Sequence, residues 1–413
     1  MARVTGGAAG PEAEPARDLH WDTRELTPGA AFAALPGSRT HGDRFLDEAV
    51  RRGAAFLLTE RPHPKAVRVS DAKRALIKLG RALRERFGGP VIGVTGSVGK
   101  TSTKEAIAAA LGFEKTPGNL NTPPALARFF LHLKESSPGA VVELGIDHLG
   151  EMDELLALAA PEVGVLTAVA PAHLEGLGSL EAVAREKGKL LTKAKTALVE
   201  FEAARRFGLK GLTYGFSKGA DFRGEKLELY PERTEFSYRG HRVVLPYPGR
   251  GVALAALAAL ALAELLGRPL DEAAERLSTL RLPPGRMEVR RLGPYRVIFD
   301  AYNANPASLA AGLEVLARQP GRKVAVVGEM KELGERSLAF HLEAARRARE
   351  AADVVLFVGP YAEAMAEEGG LFARDLEEAK EALKSLLAPG DVVYLKASRA
   401  AGFERLLEVF DAA

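Results

Sequence analysis

The 413-residue chain contains no cysteine. That excludes disulfides, cysteine-ligated zinc and a thiol nucleophile, and it fits a reducing compartment. Neither sign of charge dominates: 57 Lys and Arg stand against 54 Asp and Glu, a formal net charge of +3. No basic excess argues for nucleic acid as a partner. Long hydrophobic runs are missing as well. The most apolar stretch, residues 252–266 (VALAALAALALAELL), includes Glu264 and falls short of the ~20 residues that span a bilayer. It is expected to be a buried helix behind a Gly-rich turn, with no membrane insertion. The opening residues MARVTGGAAGPEAEPARD lack the apolar core of a signal peptide, so a cytoplasmic location is expected. What remains is ordinary globular material. Apolar residues make up 47% and charged residues 27%, which excludes chain-wide disorder. At roughly 100–200 residues per domain, the length holds two to four domains.

Three zones separate by pattern, at 1–83, 84–282 and 283–413. The first has short apolar runs such as 54–58 between glycines and prolines. It leads out through 74–87 (RALIKLGRALRERF), whose apolar spacing predicts a helix. In the second zone VIGVTG (91–96) reads as a buried strand entering a Gly-rich turn. TSTKEAIAAALG (101–112) then reads as a helix ended by Gly112. AVVELG (140–145) and VGVLTAV (163–169) are further strands. The third zone repeats the alternation with YRVIFDAY (295–302), KVAVVGEM (323–330), DVVLFVG (353–359) and DVVYLKA (391–397). Strands alternating with helices predict an α/β fold with parallel sheets covered on both faces. The expected architecture has three domains: a small N-terminal α/β domain, a central P-loop domain and a C-terminal Rossmann-like domain. Ligands belong at the strand C-termini.

The strongest local signal is Gly93-Val-Thr-Gly-Ser-Val-Gly-Lys-Thr101. A strand, a Gly-rich turn and Lys-Thr opening a helix form a phosphate cradle. Backbone N–H groups face the anion, Lys100 adds charge, and the Thr101 hydroxyl can reach Mg²⁺. The strict G-x-x-x-x-G-K-[ST] spacing fails at Val94. A nucleoside triphosphate site is still the expected function of the turn. Glu143 and His173 follow predicted strands in the same zone and could help hold a hard cation. Lys187, read alone, is an ordinary helix lysine.

TGSVGKTSTKE (95–105) resembles the ATP loop of the Mur ligase family, the ATP-dependent ligases of cell-wall assembly. GNLNTPPALARF (118–129), VVELGIDHLGEM (141–152) and APAHLEGLGSLEAVAREKGKL (170–190) are similar to its central motifs. FDAYNANPASLAAGLEVL (299–316), VAVVGEMKELGERSLAFH (324–341) and VVYLKASRAAGFERL (392–406) are similar to its C-terminal ones. The YNANP form points to the branch that adds D-alanyl-D-alanine. DTRELTPGAAFAAL (22–35) resembles, more weakly, the segment that grips the UDP end of the substrate.

The resemblance implies a reaction and roles. ATP phosphorylates the terminal carboxylate of a UDP-N-acetylmuramoyl-tripeptide. The amine of D-Ala-D-Ala attacks the acyl phosphate, and phosphate leaves. Lys100, His173 and Lys187 would be catalytic. The ATP site would draw on Thr95, Gly96, Ser97, Val98, Gly99, Lys100, Thr101 and Ser102, on Asn119 or Asn121, and on Arg286, Asp300, Tyr302, Asn303 and Asn305. Thr23 and Arg24 would bind the UDP end. Glu332, Lys396, Ser398 and Arg399 would lie near the dipeptide. Two Mg²⁺ are implied, one at Thr101 and Glu143, one at His173, with a carbamylated Lys187 helping to hold metal. Action as a monomer is expected.

Two departures stand out. Where the family has G-x-H-N-x-x-N near adenine, an ungapped placement puts Gly251, Val252 and Ala255. Either adenine is held less tightly or other groups supply the contacts. Ala397 replaces a glycine. The alternatives are a sister Mur-type or folylpolyglutamate ligase, and a nucleotide-binding homologue without catalysis.

Overall fold

The computed structural model describes residues 2–37 and 40–411. Its architecture is α/β with parallel sheets, as expected, in three consecutive units. The first holds a five-stranded sheet in the order Ala8–Ala9, Ala66–Arg68, Phe56–Thr59, Ala31–Ala33, Leu19–His20, parallel except at Ala8–Ala9. Its outgoing helix, Ala72–Arg86, starts where the Asp71 carboxylate accepts the Arg74 N–H. That hydrogen bond satisfies an N–H with no partner inside the helix.

The central unit is a seven-stranded parallel sheet. Val91–Thr95 lies in its interior, flanked by Ala140–Glu143 and Val163–Leu166. These strands are buried apolar runs, as helix cover on both faces requires. The helix Lys100–Leu111 follows the first of them and ends at Gly112, which turns left-handed at φ 67°. The Ala-rich segment forms the helix Arg250–Leu265, packed along Lys100–Leu111. Val252, Ala253 and the whole run 255–263 are buried there. Its small side chains let the two helices approach closely. Among the described residues no helix is long and apolar enough to cross a membrane. A three-stranded antiparallel sheet, Glu225–Leu229, Thr234–Tyr238 and His241–Leu245, lies beside this helix and is not among the elements expected from the sequence.

The C-terminal unit is a six-stranded sheet in the order Glu288–Leu292, Tyr295–Phe299, Val392–Lys396, Lys323–Val327, Val354–Val358, Leu371–Ala373. The four expected strands pair in parallel, and Glu288–Leu292 adds an antiparallel edge. In NANP, Asn305 caps the helix Pro306–Ala317 and exchanges hydrogen bonds with Ser308, while Pro306 occupies the first turn.

The cores divide unevenly. One cluster joins Leu19, Ala31 and Phe56 of the first unit to Leu126, Val142 and Leu155 of the second. The C-terminal unit has two clusters of its own, touched from the central unit by the partly buried Leu174.

Candidate active site

A cleft of about 1260 Å³ runs between the units. It extends from Trp21, Thr23 and Arg24 past the Gly-rich turn to Pro248–Val252, with the C-terminal unit as its far wall. The turn fits its place only as glycine. A Cβ on Gly96 would lie 1.9 Å from Thr167 Oγ1, and Gly99 holds φ 84° just before the helix. Lys100 folds back, its Nζ donating to Gly96 O at 2.8 Å. Burial pushes its pKa down, Glu143 and Asp147 oppose this, and Arg286 adds to it.

Thr101 Oγ1 donates to Glu143 Oε2 at 2.8 Å, and Asn121 Nδ2 donates to Glu143 Oε1 at 3.2 Å. A hydroxyl and a buried carboxylate thus meet beside the first turn of a helix, a donor set suited to a hard cation next to phosphate. Of the two candidate asparagines, Asn121 makes this contact, while Asn119 lines the cleft. Ser97, Val98 and Ser102 also line it. Thr95 does not: its hydroxyl donates inward to Leu144 O at 2.8 Å.

His173 stands across the cleft from the C-terminal unit. Its Nδ1 lies 3.0 Å from Asp147 Oδ1 and 2.5 Å from Glu332 Oε2. Burial works against the imidazolium, but the two carboxylates outweigh it and raise its pKa. Asp147 is held low, chiefly by His173. Ligand atoms of Asp147, His173 and Glu332 all lie within 4.8 Å of one another. Behind them Lys187 is fully buried on the helix Leu180–Lys193, and its Nζ has no hydrogen-bond partner. Burial, then the charge of Lys100, drives its pKa well below the usual lysine range, against Asp147, Glu143 and Glu151.

On the far wall Arg286 and Arg399 both lie over the Tyr302 ring, at 4.2 and 4.9 Å from its centre. Asn305 Nδ2 reaches across the cleft to Ser97 O at 3.3 Å, and the Asn303 side chain accepts from Ala304 N. Asp300 is already engaged. Its Oδ1 accepts Met287 N, and its Oδ2 accepts Lys396 Nζ at 2.7 Å and the Tyr394 hydroxyl at 3.2 Å. Lys396 is therefore buried in an ion pair. Ser398 Oγ accepts Lys331 N.

Three family models match. They are described as the Mur ligase family catalytic domain (residues 18–86), the Mur ligase middle domain (94–263) and the Mur ligase glutamate ligase domain (285–399). The UDP-N-acetylmuramoyl-tripeptide–D-alanyl-D-alanine ligase of Escherichia coli is 35% identical, over 94% of this chain and 92% of its own. The chain belongs to the Mur ligase family. Among solved structures, MurF from Acinetobacter baumannii superposes with a TM-score of 0.88 at 30% identity, covering 96% of this chain and 93% of its own. MurF ligase from Thermotoga maritima in complex with ADP gives 0.84 at 33%, covering 96% and 97%.

In this Mur ligase nearly all the sequence-predicted residues border one cleft, drawn from all three units. Thr95, Gly96 and Lys187 sit behind its surface. Gly251 and Val252 line the end near Pro248, whereas Ala255 is buried in its helix and faces no ligand space. Two groups the sequence did not single out belong to the site. Asp147 follows the strand Ala140–Glu143 and meets His173. Lys104 lies on the helix Lys100–Leu111, close to Glu143. Strain marks the place as well. Six non-glycine residues among those described have positive φ, and His173, Met287 and Glu332 of these line the cleft.

Proposed function

We propose that the chain is an ATP-dependent ligase that joins D-Ala-D-Ala to UDP-N-acetylmuramoyl-tripeptide through an acyl phosphate. The products are the UDP-linked pentapeptide, ADP and phosphate, in peptidoglycan precursor synthesis. Similarity to the Escherichia coli ligase over nearly its full length supports the substrate class. The structural observation that carries the reading is the opposition of two sites in one cleft. The Thr101–Glu143 pair lies on the central unit, and His173 meets Glu332 of the C-terminal unit.

The chain's own groups then have clear tasks. The backbone of 96–101 and Lys100 take the β- and γ-phosphates. Thr101 and Glu143 are suited to one Mg²⁺. His173 and Lys187 are suited to a second, provided Lys187 carries a carbamate. Lys187 fits that modification. Burial eases loss of the ammonium proton, and the free amine can add to CO₂ with loss of a further proton, giving a carbamate anion that a bound cation would pair. Mg²⁺ neutralises charge on the transferring phosphoryl group. Arg286, Tyr302, Asn303 and Asn305 close the nucleotide side. Thr23 and Arg24 take the UDP end, and Glu332, Ser398 and Arg399 face the incoming dipeptide. Lys396 acts there through Asp300. Residues of all three units of the chain line the cleft, and action as a monomer is part of this reading. The reaction belongs in the cytoplasm, where the nucleotide-linked precursors are assembled.

The test is phosphate release from ATP with UDP-N-acetylmuramoyl-tripeptide, with and without D-Ala-D-Ala, with the product identified by mass spectrometry. Dipeptide-dependent release and a pentapeptide product are expected. ATP binding with no pentapeptide would sink the reading and return weight to a sister substrate or a non-catalytic role.

A further inference from the structure

We propose that Lys104 is a positioning residue for the phosphate site. Its buried ammonium holds the 116–121 segment against the helix Lys100–Leu111 and so sets where Glu143 and Asn121 stand. The inference rests on the reading that Thr101 and Glu143 hold a divalent cation.

Lys104 has no solvent exposure. Its Nζ donates to Thr116 O at 2.7 Å and to Gly118 O. Glu105 Oε1 lies at 3.4 Å and Glu143 Oε2 at 3.8 Å. A buried ammonium is costly, and a well-packed apolar side chain of similar volume is often as stable or more so. Neutralising Glu105 does not explain the cation, because Lys115 already pairs with that carboxylate. What Lys104 alone does is gather two backbone carbonyls of one loop beside Glu143.

That loop is tied to the site from both ends. Thr116 N donates to Val141 O, and Thr116 Oγ1 accepts the N–H of Glu143 itself at 3.1 Å. Three residues after Gly118, Asn121 donates to Glu143 Oε1. Gly145 makes room for it, since a Cβ there would lie 2.2 Å from Asn121 Nδ2. Remove the ammonium and Thr116 O and Gly118 O lose their partner in a dry setting. The segment must then move to find another, and Asn121 and the Glu143 backbone move with it.

The test compares wild type with Lys104→Met, which keeps the stem and removes the charge. A second variant, Thr116→Val, loosens the same segment without touching a buried charge. Mg²⁺-dependent binding of ADP is measured by calorimetry, and the half-saturating Mg²⁺ by turnover. Both variants should need about ten-fold more Mg²⁺ or beyond, the usual range for losing a group that orients a metal ligand. A melting temperature that drops while the Mg²⁺ requirement stays at the wild-type value would make Lys104 merely structural and overturn the proposal. A lower Mg²⁺ requirement in Lys104→Met would overturn it too, since that is the sign expected if the ammonium only repels the cation from Glu143. Wild-type protein that binds Mg²⁺ and ADP yet forms no pentapeptide would defeat the ligase reading alone and leave the calorimetric comparison standing.

Discussion

Replacing Lys187 by Met should make the protein more stable and inactive at once. The lysine amine is fully buried with no hydrogen-bond partner. Burying a polar group in that condition costs about 1–3 kcal/mol by protein mutational data. Methionine keeps a flexible stem of similar length and removes the amine, so relief of that burial alone contributes a gain of about that size. For a unit of this size each kcal/mol moves the melting temperature about 2–4 °C, which predicts a rise of about 2–12 °C. The pH dependence has a definite sign. Burial and the charge of Lys100 depress the folded-state pKa well below 10.5. Between that depressed pKa and 10.5 the unfolded chain binds the extra proton, so the Lys187 contribution to stability rises with pH across that window. The variant lacks this slope, so its advantage shrinks as pH rises through that window. The assay is thermal melting in CO₂-free buffer at pH 7 and pH 9, paired with turnover in bicarbonate. Bicarbonate should stabilise wild type and leave the variant unchanged. A variant that melts below wild type at pH 7 without CO₂ would refute the reasoning, because the amine would then be contributing stability. Retained turnover would refute the carbamate.

Two further outcomes follow from contacts outside the cleft. Burial pushes the Asp18 carboxyl up, but hydrogen bonds from Arg128, His132 and Leu19 N outweigh it and hold the group well below its ordinary 3.8. Asp18→Asn should cost about 1.5–3 kcal/mol at pH 7 by loss of these charge-assisted bonds. The gap to wild type should close as acid protonates the wild-type carboxylate below pH 3.8; melts at pH 7 and in acid check this, and a pH-independent gap would contradict it. Gly312→Ala should cost about 1–3 kcal/mol by overpacking, since its Cβ would lie 1.8 Å from the buried Tyr394 hydroxyl. Wild-type stability in that variant, by denaturant titration, would show that the helix Pro306–Ala317 can move off its sheet.

The Gly-rich turn was legible because its chemistry is local: strand, glycines, Lys-Thr and helix are consecutive, and each constrains the next. YNANP was legible only through its resemblance to the family, and the cap that Asn305 makes appears first in the structure. The meeting of His173 with Glu332 was not, because the two are 159 positions apart in the numbering and join only when two units face each other. Read alone, Lys187 is a solvated helix lysine, and nothing in AREKGKL announces that its amine is dry. Lys104 is hidden in the same way, since its burial depends on carbonyls at 116 and 118. The pairing of Asp300 with Lys396 turns two candidate ligand contacts into an internal ion pair, which no spacing rule reveals. The sheet over 225–245 was not legible although Arg239-Gly240 marks its hairpin turn, because three of the five residues of Glu225–Leu229 are charged and give no apolar run.

The shared core of the first two units has a practical meaning for anyone dissecting or grafting this ligase. Excising the first segment would strip cover from Leu126, Phe130 and Leu155 and leave an apolar scar on the central sheet. The C-terminal segment keeps its own two clusters and leans on the rest mainly through Leu174 and polar contacts such as Asn305 with Ser97. It is the exchangeable cartridge of the molecule. A chimera that swaps this piece between relatives should change the incoming amine while leaving the nucleotide-sugar grip intact.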